Sequence, residues 1–133
     1  MKKGYKENIE KLTTENENFR KVLYTGANMQ LVLMSLRPLE DIGLEVHAQN
    51  DQFFRFEKGQ GKVIVGETEY DVADGDAVIV PAGIQHNVIN VSEFDDLKMY
   101  TIYSPAHHKD GIVRFTKKDG MENEEDFDGV LTE

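Results

Sequence analysis

The distribution of apolar residues along the chain predicts many short β-strands and little helix. Residues 30–36 form a continuous apolar run, typical of a strand buried on both faces. Further short strands are predicted at residues 45–47, 53–57, 62–65, 68–72, 77–80, 85–91 and 97–103, and glycine-containing turns separate several of them. Only Ile9 and Leu12, with Tyr5, indicate a short helical face near the start. This pattern predicts an all-β barrel or sandwich.

The stretch from residue 75 to residue 90 contains the most informative motif. It reads G-x5-P-x-G-x2-H-x3-N, in which Gly75 supplies a turn, Pro81 and Gly83 mark a corner, and His86 begins the next strand. A single histidine on a strand is more often a packed or exposed residue than a metal ligand. This motif, however, resembles the second signature of the cupin superfamily, whose histidine binds a metal inside a small β-barrel. The resemblance implies that His86 is a metal ligand.

The stretch upstream occupies the place of the first cupin signature but departs from its usual form, G-x5-H-x-H-x3-4-E-x6-G. One alignment puts His47 and Gln49 in the two histidine positions. Another puts Glu45 and His47 there and Gln52 in the glutamate position, which keeps the spacing to the following glycine. We prefer the second because of this spacing, and Glu45 and His47, two apart on a strand, would also project from the same face. The resemblance then implies a metal site formed by Glu45, His47, Gln52 and His86.

These four side chains would offer two imidazoles, one carboxylate and one amide oxygen. Such donors suit a divalent transition metal, Fe, Mn, Ni, Co or Zn, and the chain has no cysteine that would favour Cu(I). Glu45, His47 and His86 alone would be a 2-His-1-carboxylate triad with coordination positions open to water, O2 or substrate. The alternative keeps the fold without a metal, with Glu45 and Gln52 as a hydrogen-bonded polar pair in the barrel mouth.

The cupin resemblance covers about residues 19 to 115 and implies a double-stranded β-helix, or jelly roll. We expect an N-terminal arm at 1–18, a cupin barrel at 19–118 and an acidic tail at 119–133. If Gln52 and His86 face the interior, strand alternation turns Phe54, Phe56 and Val88 inward as well. We therefore predict that these three residues bind substrate in a mainly apolar pocket.

The same alternation leaves apolar side chains on the outer faces of the strands, namely Val46, Phe53 and Ile89. A monomer would expose them to water, whereas an oligomer would bury them. We therefore predict a homodimer in which residues before about 30 pack across the partner barrel.

Charge and composition narrow the range of partners. The net charge is −10, but residues 119–133 carry seven acidic and no basic side chains, leaving 18 acidic and 15 basic residues elsewhere. An acidic run is usually solvated, so we expect a tail that is mobile, or ordered only where Phe127 and Val130 dock on the barrel or on a partner chain. Lysine and arginine are not clustered, so we expect no nucleic-acid partner. No apolar segment reaches the ~20 residues of a membrane span, and no secretory signal follows Met1, so we expect a cytoplasmic protein.

His107 and His108 form the other histidine-bearing stretch. Adjacent residues on a strand point to opposite faces, so the two imidazoles would not share one metal. We interpret this stretch as a surface loop.

Two classes of function stay open at this point. One is a metal-dependent enzyme of the oxygenase, isomerase or epimerase type, acting on a small oxygenated metabolite. The other is a non-catalytic cupin that binds or senses a small molecule. Fold alone does not choose between them.

Overall fold

The computed structural model describes residues 1–133 as nine strands and two short helices. The helices are α1 (Ile9–Glu15) and α2 (Lys117–Glu122). The strands are β1 (Arg20–Thr25), β2 (Gln30–Leu36), β3 (Asp51–Lys58), β4 (Gln60–Val65), β5 (Thr68–Ala73), β6 (Ala77–Val80), β7 (His86–Asn90), β8 (Leu97–Ser104) and β9 (Val113–Arg114). Neither helix has the length and apolar character needed to cross a bilayer.

The strands form two antiparallel sheets that face each other. The larger sheet has six strands in the order β6-β3-β8-β2-β1-β9, and the smaller has three in the order β5-β4-β7. Two isolated bridges, Asp41 to Ile89 and Glu45 to His86, extend the smaller sheet along β7. The predicted all-β fold, a double-stranded β-helix, is confirmed.

The hydrophobic core fills the space between the sheets. Alternate residues of the central strands point inward, and six of them are fully buried: Phe54, Phe56, Val63, Val88, Leu97 and Met99. The rings of Phe54 and Phe56 stack with their centroids 6.2 Å apart. Burying a side chain of this kind contributes about 1.5–3 kcal/mol. The Phe54 ring also lies 6.4 Å from the ring of His86, so this part of the core supports that side chain.

The N-terminal residues pack on the barrel of their own chain. The Asn8 side chain caps α1 by accepting a hydrogen bond from the Lys11 N–H (3.0 Å), and Thr13 is fully buried. Lys98 Nζ donates to the Asn16 carbonyl directly after the helix. β1 then pairs with β2. The structure thus places the segment predicted to cross to a partner on its own barrel.

The C-terminal residues lie against the barrel, as in the docked alternative, although only Phe127 of the two expected docking residues is partly buried and Val130 is exposed. Three backbone hydrogen bonds of 3.0 Å attach them: Lys109 N–H to Glu125 O, Phe127 N–H to His107 O, and Thr132 N–H to Thr25 O. Arg114 forms an ion pair with Glu125 at 3.2 Å. The composition of this segment predicts little apolar burial. The segment is attached to the barrel by these backbone hydrogen bonds and by the ion pair rather than by apolar contacts.

Candidate metal centre

Glu45 and His86 are neighbours because their backbones pair. The N–H of each donates to the carbonyl of the other at 2.9 Å, although 40 residues separate them in the sequence. Residues directly opposite in an antiparallel pair project to the same face. His47 follows Glu45 by two residues and lies on the same side. This local pairing brings the three side chains together.

The three side chains are close enough to share one ion. Ligand atoms of Glu45, His47 and His86 all lie within 4.8 Å of one another. His47 Nε2 is 3.1 Å from Glu45 Oε2, and the two histidine rings are 5.2 Å apart between centroids. Ligands about 2.0–2.2 Å from a tetrahedral or octahedral metal are themselves about 3–4 Å apart. Small side-chain adjustments would bring this group to a coordinating geometry.

His86 has a nitrogen that is ready to accept a metal bond. Its Nδ1 lies 3.0 Å from the Ile84 carbonyl, an acceptor, so Nδ1 carries the proton and donates. Its Nε2 is buried and has no hydrogen-bond partner. Burial, the largest effect, lowers the pKa of His86 even though the Ile84 hydrogen bond opposes the shift. The ring is therefore neutral, with an unshared electron pair on Nε2.

Glu45 supplies the negative charge of the group. Burial alone would raise the pKa of its carboxyl group, but the hydrogen bond with His47 and the positive charges of His47 and Arg20 together lower it below the usual value. The side chain keeps 25% of its surface exposed. Glu45 is thus an anionic oxygen donor at neutral pH that faces an open space.

Gln52 is held by a neighbour on β8. It is 3% exposed, its Nε2 donates to Thr101 Oγ1 at 3.0 Å, and its Oε1 is buried without a partner. The alternative in which Glu45 and Gln52 form a hydrogen-bonded pair is wrong, because Glu45 contacts His47 and Gln52 contacts Thr101. The role of Gln52 as a fourth ligand stays a prediction.

His107 and His108 belong to the site, and their interpretation as a surface loop is wrong. The His107 ring lies 4.3 Å from the His47 ring and 4.7 Å from the His108 ring. His108 is 7% exposed and its Nε2 is 3.2 Å from the Tyr103 hydroxyl. Burial first, and the charge of Arg20 next, lower the pKa of His108 to about 2. Strand alternation misled here because β8 ends at Ser104, before either histidine.

A cavity of about 220 Å³ opens beside the candidate group of Glu45, His47 and His86. It is lined by Arg20, Glu45, Val46, His47, His107, His108, Glu124, Glu125 and Asp126. Val46 is the single apolar residue in this lining. The prediction of a mainly apolar pocket is therefore wrong, because the C-terminal residues bring carboxylates to its mouth.

Phe54, Phe56 and Val88 do not line this cavity. Each has no exposed surface and belongs to the hydrophobic core, so none has an open face for a substrate. The Phe54 ring lies 6.4 Å from that of His86. Strand alternation predicted their inward direction correctly, but it carries no information on depth. Their place is under the site, as support for His86.

Comparison with known proteins gives consistent matches. The family model described as "Cupin domain" matches residues 32–103. The uncharacterised protein YrkC of Bacillus subtilis is 44% identical over 124 residues, covering 89% of this chain and 66% of YrkC. The uncharacterised protein L612 of Acanthamoeba polyphaga mimivirus is 44% identical over 112 residues, covering 82% of this chain and 70% of L612. The crystal structure of BH2720 from Bacillus halodurans is 41% identical with a TM-score of 0.88, covering 91% of this chain and 96% of that one.

Proposed function

Because this chain belongs to the cupin family, we propose that it binds one divalent transition metal through Glu45, His47 and His86, with Gln52 as a fourth ligand. The metal in turn holds a small oxygenated metabolite that enters through the 220 Å³ cavity. Two imidazoles with oxygen donors and no thiolate favour Fe, Mn, Ni, Co or Zn.

The buried Nε2 of His86 carries this proposal. A buried polar atom without a partner costs about 1–3 kcal/mol, so its persistence calls for a partner that binds there. The Ile84 carbonyl orients the ring and fixes its tautomer, as outer partners of metal-bound histidines do. Glu45 adds the anionic charge that attracts a cation.

A bound metal would supply Lewis-acid chemistry by polarising an oxygen of the metabolite. Catalysis of the oxygenase, isomerase or epimerase type would also need a group that transfers a proton. His107 is suitably placed, since it borders both His47 and the cavity, and burial lowers its pKa so that it is neutral. Absence of any turnover would favour the alternative, a cupin that binds or senses a small molecule.

Elemental analysis of protein purified without an affinity tag tests the metal site. We expect one divalent transition metal per chain, lost in His47→Ala and His86→Ala and weakened in Glu45→Gln. His108→Gln is the matched control, because it changes an imidazole of the same cavity outside the ligand group and should retain the metal. Stoichiometric metal persisting in the His47→Ala, His86→Ala double variant would refute the site.

We also propose a homodimer formed through the outer face of the larger sheet. One row across four strands is apolar there, because Phe53 is in register with Ile79 and Ile102, and Ile102 with Leu31. Ile79 is 67% exposed. A dimer would bury this row. Light scattering at micromolar concentration should give twice 15.2 kDa, and a monomer mass would contradict the proposal.

The cytoplasmic location stays a prediction.

A further inference from the structure

Arg20, the first residue of β1, is a buried charge without a partner. It is 5% exposed and borders the cavity beside Glu45 and His47. Its Nε is buried with no hydrogen-bond acceptor, and no carboxylate lies within ion-pair distance of its guanidinium group. The nearest aromatic contact is Phe19, whose ring centre is 5.3 Å from Cζ. Arginine is almost never buried in this way unless it is paired, so a missing partner has to be identified.

The neighbouring residues do not supply that partner. The side-chain carboxylate of Glu125 is already paired at 3.2 Å with Arg114, which lies directly opposite Arg20 on β9. Glu45 is held by His47 and would be engaged by the metal. The donors of Arg20 are thus free for a molecule that enters the cavity.

We infer that Arg20 binds a carboxylate group of the ligand that the metal holds, an inference that rests on the proposed metal site. The arginine fork presents parallel N–H donors that match the two oxygens of a carboxylate. A divalent ion and Arg20 together outweigh the single charge of Glu45, so the inner end of the loaded cavity is positive. An anion there is bound more strongly than at the exposed surface, because water screens it less.

The size and charge of the cavity narrow the ligand class further. A volume of 220 Å³ corresponds to about seven water molecules. The exposed carboxylates of Glu124 and Asp126 also line the cavity and disfavour a second anionic group facing them. The ligand is therefore a small carboxylic acid with a further oxygen that reaches the metal, and with no charge at its outer end. Malonate is a suitable probe, because it has about as many non-hydrogen atoms as the cavity has room for water molecules and can turn both carboxylates inward.

Calorimetric titration of the zinc-loaded full chain with malonate, at constant ionic strength, tests the inference. Arg20→Gln should weaken malonate binding about tenfold or more, since a charge-assisted bidentate contact is lost. It should leave binding of malonamide, which keeps the oxygen donors without the charge, unchanged. Arg37→Gln is the matched control, because it removes the same charge from an exposed arginine. Zinc content is measured in every variant before and after titration.

A second measurement on the wild type covers the case in which Arg20→Gln does not fold. The chain has four arginines, so the ¹⁵N–¹H signals of their Nε–H groups can be resolved. Malonate should shift the Arg20 signal of the zinc-loaded protein and leave that of Arg37 in place. Three outcomes would each overturn the inference and leave the metal site standing. They are an unshifted Arg20 signal, no malonate binding by the zinc-loaded wild type, and equal malonate affinities in Arg20→Gln and wild type with zinc retained. A wild type that takes up no zinc would overturn the metal site itself, and this inference with it.

Discussion

Replacing Gln52 by glutamate distinguishes a metal ligand from a purely structural residue. Gln52 is 3% exposed on β3, in register with Val80 and Tyr103, and its one side-chain hydrogen bond is to Thr101. Glutamate has nearly the same size, so the strand and its register should persist. The Thr101 hydroxyl can rotate to donate to the new carboxylate. The second carboxylate oxygen would keep no partner in the metal-free protein.

The cost of that unpaired charge follows from its burial. An uncompensated buried carboxylate destabilises a protein by about 3 kcal/mol at neutral pH. For a chain of this size that corresponds to a thermal midpoint lowered by about 10 °C. Burial raises the pKa of the introduced carboxyl group above its ordinary value of about 4.3, so the folded state favours the protonated form. The stability deficit is therefore full at neutral pH and shrinks as the pH falls towards that value.

Thermal denaturation with chelator and with saturating zinc measures the effect. If Gln52 is a ligand, zinc neutralises the new charge, and the zinc-induced rise in midpoint should be about 10 °C larger in Gln52→Glu than in the wild type. Asn90→Asp is the matched control, because Asn90 is also fully buried but donates to the carbonyls of Leu36, Arg37 and Asp95. It should be destabilised equally with and without zinc. Equal zinc-induced rises in Gln52→Glu and wild type would exclude Gln52 from the metal site.

Three further predictions concern stability. Asp41→Asn should cost up to about 1 kcal/mol in urea denaturation at pH 7, because the half-exposed carboxylate accepts from Asn87 and pairs with Lys117 at 2.6 Å. These contacts lower the pKa of Asp41, so the difference should disappear as the pH falls through that pKa, and a pH-independent difference would contradict the assignment. Deleting residues 124–133 should lower the thermal midpoint by about 5 °C or more, because three backbone hydrogen bonds are lost; an unchanged midpoint would indicate a mobile tail. Gly61→Ala should cost about 1–3 kcal/mol, because its Cβ would lie 2.7 Å from Leu97 Cδ2 and 3.0 Å from the Ile89 carbonyl. Gly26→Ala, whose nearest contact would be an ordinary 3.5 Å, is its control, and equal stabilities would refute the packing argument.

The candidate group of Glu45, His47 and His86 could be predicted from the sequence because short motifs mark its members. Glu45 and His47 share a side through their two-residue spacing, and the glycine and proline pattern before His86 places that residue at the start of a strand. The all-β fold could be predicted from the succession of short strands and glycine-containing turns. The grouping of Glu45 with the distant His86 came only from the cupin resemblance, and the structure adds the backbone pairing that brings the two residues together.

The remainder of the cavity depends on long-range geometry that one sequence does not carry. Arg20 reaches the site through the register of β1 between β2 and β9, and no motif marks it. His107 follows the end of β8, where the alternation rule no longer applies. Tyr103, near the end of β8, is in register with Gln52, so knowledge of this register would have indicated that the residues following β8 lie near the site. Backbone hydrogen bonds hold the acidic side chains of the C-terminal segment beside the cavity, and amino-acid composition does not reveal such bonds.

A crystal structure of the zinc-loaded protein, with anomalous data at the zinc absorption edge, tests the central claim most directly. The proposal predicts one anomalous peak per chain, bonded to His86 Nε2, to a His47 nitrogen and to a Glu45 carboxylate oxygen at about 2.0–2.2 Å. A peak at His107 and His108 instead, or no peak beside Glu45 at saturating zinc, would contradict it.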